Sequence, residues 1–161
     1  MANVGSFEMR IKGTKQNCLD FFNADFPCYE KWTCGESGND NNFTLCAGGE
    51  CRYDLHSMDK GEMTLCQLTA KFGVELEIFG YDMSEPEWIQ HFHYRNGECL
   101  HAFDLPVTAH DLEEMEISDK DAVKYDYKEE FGFYVLKNEY NEEFEWDDDE
   151  QVMTLPWIMS V

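Results

Sequence analysis

Acidic residues crowd the second half of this chain, and any fold it adopts must hold that charge together. Of 34 Asp and Glu residues, 22 follow residue 80 against five Lys and Arg, so that half carries −17 of the formal −22. Between Asp111 and Glu150 stand 17 acids and four bases. Self-repulsion at such density destabilises a compact state, so the segment is either disordered or uses its charge. Solvating acidic tails are poor in aromatics. This segment instead interleaves Tyr125, Tyr127, Phe131, Phe133, Tyr134, Tyr140, Phe144 and Trp146, which points to a folded acidic surface.

With 43% hydrophobic and 15% aromatic residues in 161 positions, the chain can build one core, and a single domain spanning 1–161 is expected. Residues 1–13 contain no continuous apolar run and no stretch reaches the length of a membrane span, so the expected location is the cytoplasm. Seven cysteines at irregular gaps read as reduced thiols rather than a disulfide framework. Cys28, Cys34, Cys46 and Cys51 lack a Cys-x-x-Cys pair to nucleate a zinc site, and no cofactor is expected.

Phe7, Met9 and Ile11 alternate with Glu8, Arg10 and Lys12, which predicts a strand over 6–13. Thr14 then caps a short helix carrying Cys18, Phe21 and Phe22. Gly35 through Asn42 reads as a turn-rich loop, with short strands at 43–46 and 51–55. Leu65, Leu68 and Phe72 predict a second helix over 62–72, closed by Gly73. Val74, Leu76 and Ile78 alternate with Glu75, Glu77 and Phe79, giving a strand with a core face and an acidic face. After a turn at 84–86, Asn96-Gly97 joins 88–95 to 98–103 as a hairpin. A helix over 108–115, a strand over 130–138, a further extended segment over 142–146 and a docked apolar end over 153–161 complete the prediction. That order points to an α+β sandwich, a mainly antiparallel sheet with helices on one face.

The stretches Leu65-Cys66-Gln67-Leu68, Phe72 through Ile78, Ser84-Glu85-Pro86-Glu87 and His91 through Glu98 resemble the YubB-type ferredoxin-like proteins of plasmids, phages and other mobile elements. The similarity covers about 61–100, with 7–22 compatible. Leu45-Cys46-Ala47-Gly48-Gly49 stands where that family has a tryptophan-rich stretch, and the acidic part after Ala102 has no counterpart in it. The resemblance implies a ferredoxin-like core over about 5–104 and a mobile-element setting, and an acidic α+β extension over about 105–161 is expected beyond that core. It implies no catalytic residues.

For chemistry, His91, His93 and His101 share one hairpin. A two-residue turn with regular pairing sets Arg95 against Glu98, His93 against Leu100 and His91 against Ala102. His101 then lies on the opposite side of the sheet, so the three histidines are not expected to converge. His91 and His93 with a neighbouring carboxylate form the one candidate metal set, and a metal-dependent enzyme using them is the alternative from another class. The sequence holds no Gly-x-Ser-x-Gly elbow, and Gly48-Gly49 lacks the residues of a phosphate cradle, so no catalytic residues are assigned and the protein is not expected to be an enzyme. Asp147 to Glu150 lack the spacing of a calcium loop.

Direct binding to nucleic acid is disfavoured, because the phosphates would be repelled. A folded row of carboxylates can instead occupy the basic groove of a nucleic-acid-binding protein. The residues expected to do so are Glu142, Glu143, Glu145, Asp147, Asp148, Asp149 and Glu150, with Glu75 and Glu77 as a second row and Phe79, Tyr140 and Trp146 as aromatic neighbours. The reading is an acidic inhibitor of a host defence protein, such as a CRISPR effector or restriction nuclease. Simple solvated acidity and a non-inhibitory interaction module stand beside it.

Overall fold

The computed structural model describes residues 4–82, 88–106, 125–128, 133–136, 145–147, 152–155 and 157–160. Strand β1 (Val4–Gly13) leads through helix α1 (Lys15–Phe22) to the hairpin β2 (Glu30–Asn39) and β3 (Asn42–Arg52). A 3₁₀ turn at Leu55–Asp59 and helix α2 (Leu65–Phe72) follow, then β4 (Glu75–Asp82), β5 (Trp88–Arg95) and β6 (Glu98–Pro106). These six strands form one sheet in the order β2-β3-β1-β4-β5-β6, and every neighbouring pair is antiparallel. Two short hairpins, β7 (Tyr125–Lys128) with β8 (Phe133–Leu136) and β9 (Glu145–Asp147) with β10 (Val152–Thr154), form separate two-stranded sheets. The α+β, mainly antiparallel architecture expected from the sequence is therefore present. The turn at 84–86 and the helix over 108–115 fall outside the described residues.

Helices of eight residues are marginal alone, so caps and packing must hold them. The Thr14 side chain accepts from the Asn17 amide at the start of α1. Thr64 and Gln67 form a reciprocal capping box on α2, and Gly73 closes it in the left-handed region at φ 64°. Both helices pack on one face of the sheet. Phe7, Met9, Ile11, Leu45, Ala47, Leu76, Ile78, Phe92 and Tyr94 meet Cys18, Phe21, Leu65 and Leu68 there in a single core.

The region from 30 to 55 departs from the sequence expectation. A ten-residue strand and an eleven-residue strand replace the loop and two short strands, and Leu55 begins the 3₁₀ turn instead of ending a strand. β2 lies at the sheet edge and is exposed almost throughout, so it shows no hydrophobic alternation. Gly48-Gly49, which reads as a break, lies mid-strand in β3, and at Gly49 nothing larger fits. A Cβ on Gly49 would sit 2.2 Å from the Glu30 carbonyl oxygen and 2.3 Å from the Phe7 ring.

Candidate functional site

The sheet face opposite the helices carries Glu8 and Arg10 from β1, Glu75, Glu77 and Phe79 from β4, and His91, His93 and Arg95 from β5. Alternation along the strands puts them there, as the sequence indicates. Residues 157–160 lie across this face. Glu77 is fully buried beneath them: its carboxylate accepts from the Ile158 amide (2.8 Å to Oε2), the Met159 amide (2.7 Å to Oε1) and His91 Nε2 (2.6 Å). Arg10 completes the clasp by donating to the Met159 carbonyl at 2.5 Å while its guanidinium stacks 4.2 Å from the Trp157 ring. The Trp157 ring in turn meets Phe79 edge-on at 4.7 Å, and Phe79 stacks on His91 at 3.9 Å.

Burial alone would raise the Glu77 carboxyl, but the hydrogen bonds from His91, Ile158 and Met159 outweigh it and hold the group below its ordinary value. Burial pushes His91 down, and the pull of Glu77 offsets this only in part. At neutral pH the pair is therefore a carboxylate and a neutral imidazole, with Nε2–H donating to Glu77. Beside it, His93 Nε2 lies 3.1 Å from Glu75, and Arg95 approaches the same carboxylate at 3.9 Å.

The histidines correct the sequence expectation. A register shift between His93 and Tyr94 leaves Arg95 opposite Glu98 and Tyr94 opposite Cys99, but pairs His93 with His101 and His91 with Phe103. That extra residue in β6 turns His101 to the same side as the others, and its ring lies 4.7 Å from that of His91. The three histidines converge after all. Each of His91 and His93 directs Nε2 at a carboxylate, and among the described residues no group of three His, Cys, Asp or Glu side chains is arranged to hold a metal ion.

The second carboxylate row is also corrected. Glu77 cannot meet a partner because its charge is enclosed, and Phe79 is buried with it. Glu75 keeps a partly exposed side chain, 24% accessible. Alternating acids on a strand read as a solvent face, but Phe79 in the same register and an apolar chain end were the signals that something covers it. Of the main row, Glu145 and Asp147 lie on β9, opposite Thr154 and Val152. Glu142, Glu143, Asp148, Asp149 and Glu150, together with Tyr140, lie outside the described residues.

The cysteines are free thiols, and those at 28, 34, 46 and 51 are spread over the Pro27–Tyr29 segment, β2 and β3. Burial pushes Cys51 up to about 12 and Cys18 to about 11, so neither is a nucleophile at neutral pH. Among the described residues no helix is long and apolar enough to cross a membrane. Comparison with protein-family models, with curated proteins and with solved structures finds no match for this chain.

Proposed function

We propose that this protein works by binding rather than catalysis, as an acidic ligand for the basic nucleic-acid site of a partner protein. The observation that carries the reading is the charge distribution: 17 acids against four bases between Asp111 and Glu150, interleaved with aromatics. Closely spaced carboxylates on an extended backbone repeat at about 6.6 Å for residues two apart, near the spacing of successive phosphates, and such a row gains the steering that recruits nucleic acid. Glu145 and Asp147 stand two residues apart on β9. Residues 142–150 are the proposed contact, with Glu75 as an outlying member. Glu77 and Phe79 are withdrawn from the contact.

The scaffold under this reading is ferredoxin-like. Strands β1 to β4 with α1 and α2 follow the order β-α-β-β-α-β, and the sheet order β2-β3-β1-β4 interleaves the two β-α-β units, to which β5 and β6 are added. Together with the resemblance over 61–100, this supports an origin in a phage or mobile element and a partner among host defence proteins, such as a CRISPR effector or restriction nuclease, in the bacterial cytoplasm.

The test is capture of partners from a nuclease-treated bacterial lysate at low and high salt, using the native chain and a variant with Asp147, Asp148 and Asp149 changed to Asn and Glu150 to Gln. Recovery of a basic nucleic-acid-binding protein by the native chain, weakened by salt and by the variant, supports the proposal. Equal recovery by both chains at both salt concentrations contradicts it.

A further inference from the structure

A cleft of about 490 Å³ opens between the Pro27–Tyr29 segment and the stretch Arg52–Lys60. Its lining runs against the character of the chain. Two cations, Arg52 and Lys60, and two tyrosines, Tyr29 and Tyr53, meet there with Cys28 and Ser57, although the chain holds only 12 Lys and Arg against 34 acids. The tyrosine rings are about half exposed, at 54% and 48%.

The backbone is held in an unusual form to make this arrangement. The Asp54 amide donates to the Arg52 carbonyl at 2.9 Å, and the residue between them, Tyr53, has φ 66°. A three-residue turn with positive φ at its centre is rare and strained for any residue other than glycine. A non-glycine residue there carries strain that glycine would not. The turn sets the Tyr53 ring 5.0 Å from the Arg52 guanidinium.

The neighbouring carboxylates Asp54 and Asp59 are fixed by backbone amides, which sets their positions without removing their charge. Asp54 accepts from the His56 amide at 3.0 Å, and Asp59 accepts from the Leu65 amide at 2.8 Å. Cys28 adds no negative charge, since burial raises its thiol. A planar guanidinium suits a phosphate by its paired donors, a lysine adds a point charge, and exposed tyrosine faces stack on aromatic rings. The volume lies in the range of small-ligand pockets.

From this cleft we infer a binding site for a phosphorylated aromatic small molecule of mononucleotide size. Tyr29 and Tyr53 take the ring system, while Arg52 and Lys60 take the phosphate. The site shares no residue with 142–150, and a free mononucleotide, unlike a nucleic acid, brings too little charge to be excluded by the net charge of the chain beyond a Debye length of about 8 Å.

The probe is AMP, titrated against the full chain by calorimetry and by amide chemical shifts, with adenosine and inorganic phosphate in parallel. The expected result is saturable AMP binding with shifts at Tyr29, Arg52 and Tyr53, weakened about tenfold or more by loss of either the ring or the phosphate, as for a charge-assisted pair. R52Q and K60Q should each weaken AMP without lowering the melting temperature. Y53G relieves the positive φ, so it should melt no lower than the native chain and still lose AMP. Absence of saturable AMP binding up to about 10 mM, a limit weaker than any useful affinity, overturns the inference. So does binding that R52Q, K60Q and Y53G all leave unchanged.

Discussion

Replacing Glu77 by Ala removes the acceptor shared by two buried donors, the Met159 amide and His91 Nε2, and one partly buried donor, the Ile158 amide. Each buried donor left without a partner costs about 1–3 kcal/mol, and breaking a buried pair by deleting one member costs about 3–5 kcal/mol. Residues 157–160 can escape this penalty by lifting off the sheet, where water satisfies their amides. The expected loss is therefore the free energy of docking, about 3 kcal/mol, which corresponds to roughly 100-fold faster exchange at those two amides. Hydrogen exchange read by NMR at Ile158 and Met159 measures it directly, with the β1 and β3 amides as internal reference. A melting decrease of about 6–12 °C should accompany it if docking contributes to the global transition. Glu77→Gln should fall between Ala and native, because the amide oxygen still serves the backbone while His91 must change tautomer to face the new NH₂ group. Exchange at Ile158 and Met159 within about threefold of native in Glu77→Ala, a difference under 1 kcal/mol, would refute this account of the clasp.

Because His91 and Glu77 both have depressed values in the folded state, the unfolded chain binds more protons in acid: their stabilisation is full above about pH 6.5, declines as His91's unfolded counterpart protonates, and declines again below about pH 4.5 as Glu77 is titrated. His56 runs the other way: burial opposes its charged form, but the bond to Asp104 and the nearby Asp54 and Asp59 raise it, so its contribution is present below about pH 6.5 and fades as pH rises through the raised value. Imidazole NMR titration should find His56 above and His91 below the ordinary value, and the reverse order would contradict both assignments. Gly49→Ala should destabilise the protein by about 3 kcal/mol or more, because its Cβ meets the Glu30 carbonyl and the Phe7 ring and backbone must move; a thermal melt within about 2 °C of native would contradict so close an approach.

The elements that the sequence revealed are those with local chemistry of their own. Thr14 and Gly73 mark helix ends because caps and left-handed glycines act within one turn of chain, and Asn96-Gly97 marks its hairpin through φ values of 48° and 82°. β2 was hidden because an exposed edge strand needs no hydrophobic period, and β3 because its glycines serve a close approach by Phe7 from β1, more than 40 residues earlier. The meeting of His91, His93 and His101 depends on one extra residue in β6. A single-residue shift turns a side chain to the other face and leaves no local signature. Glu77 was misplaced for a related reason: an acid in an alternating strand reads as solvent-facing until its cover, supplied here from residues 158 and 159, is known.

The central claim, that the acidic segment occupies a nucleic-acid site, is tested most directly by competition. A partner captured by the native chain is loaded with labelled nucleic acid, and this protein is titrated in at about 50 and 200 mM salt. The proposal predicts mutually exclusive binding, with displacement strongest at low salt and weakened by neutralising Asp147, Asp148, Asp149 and Glu150. A ternary complex in which labelled nucleic acid stays bound, or displacement that the neutralised variant matches, would contradict it.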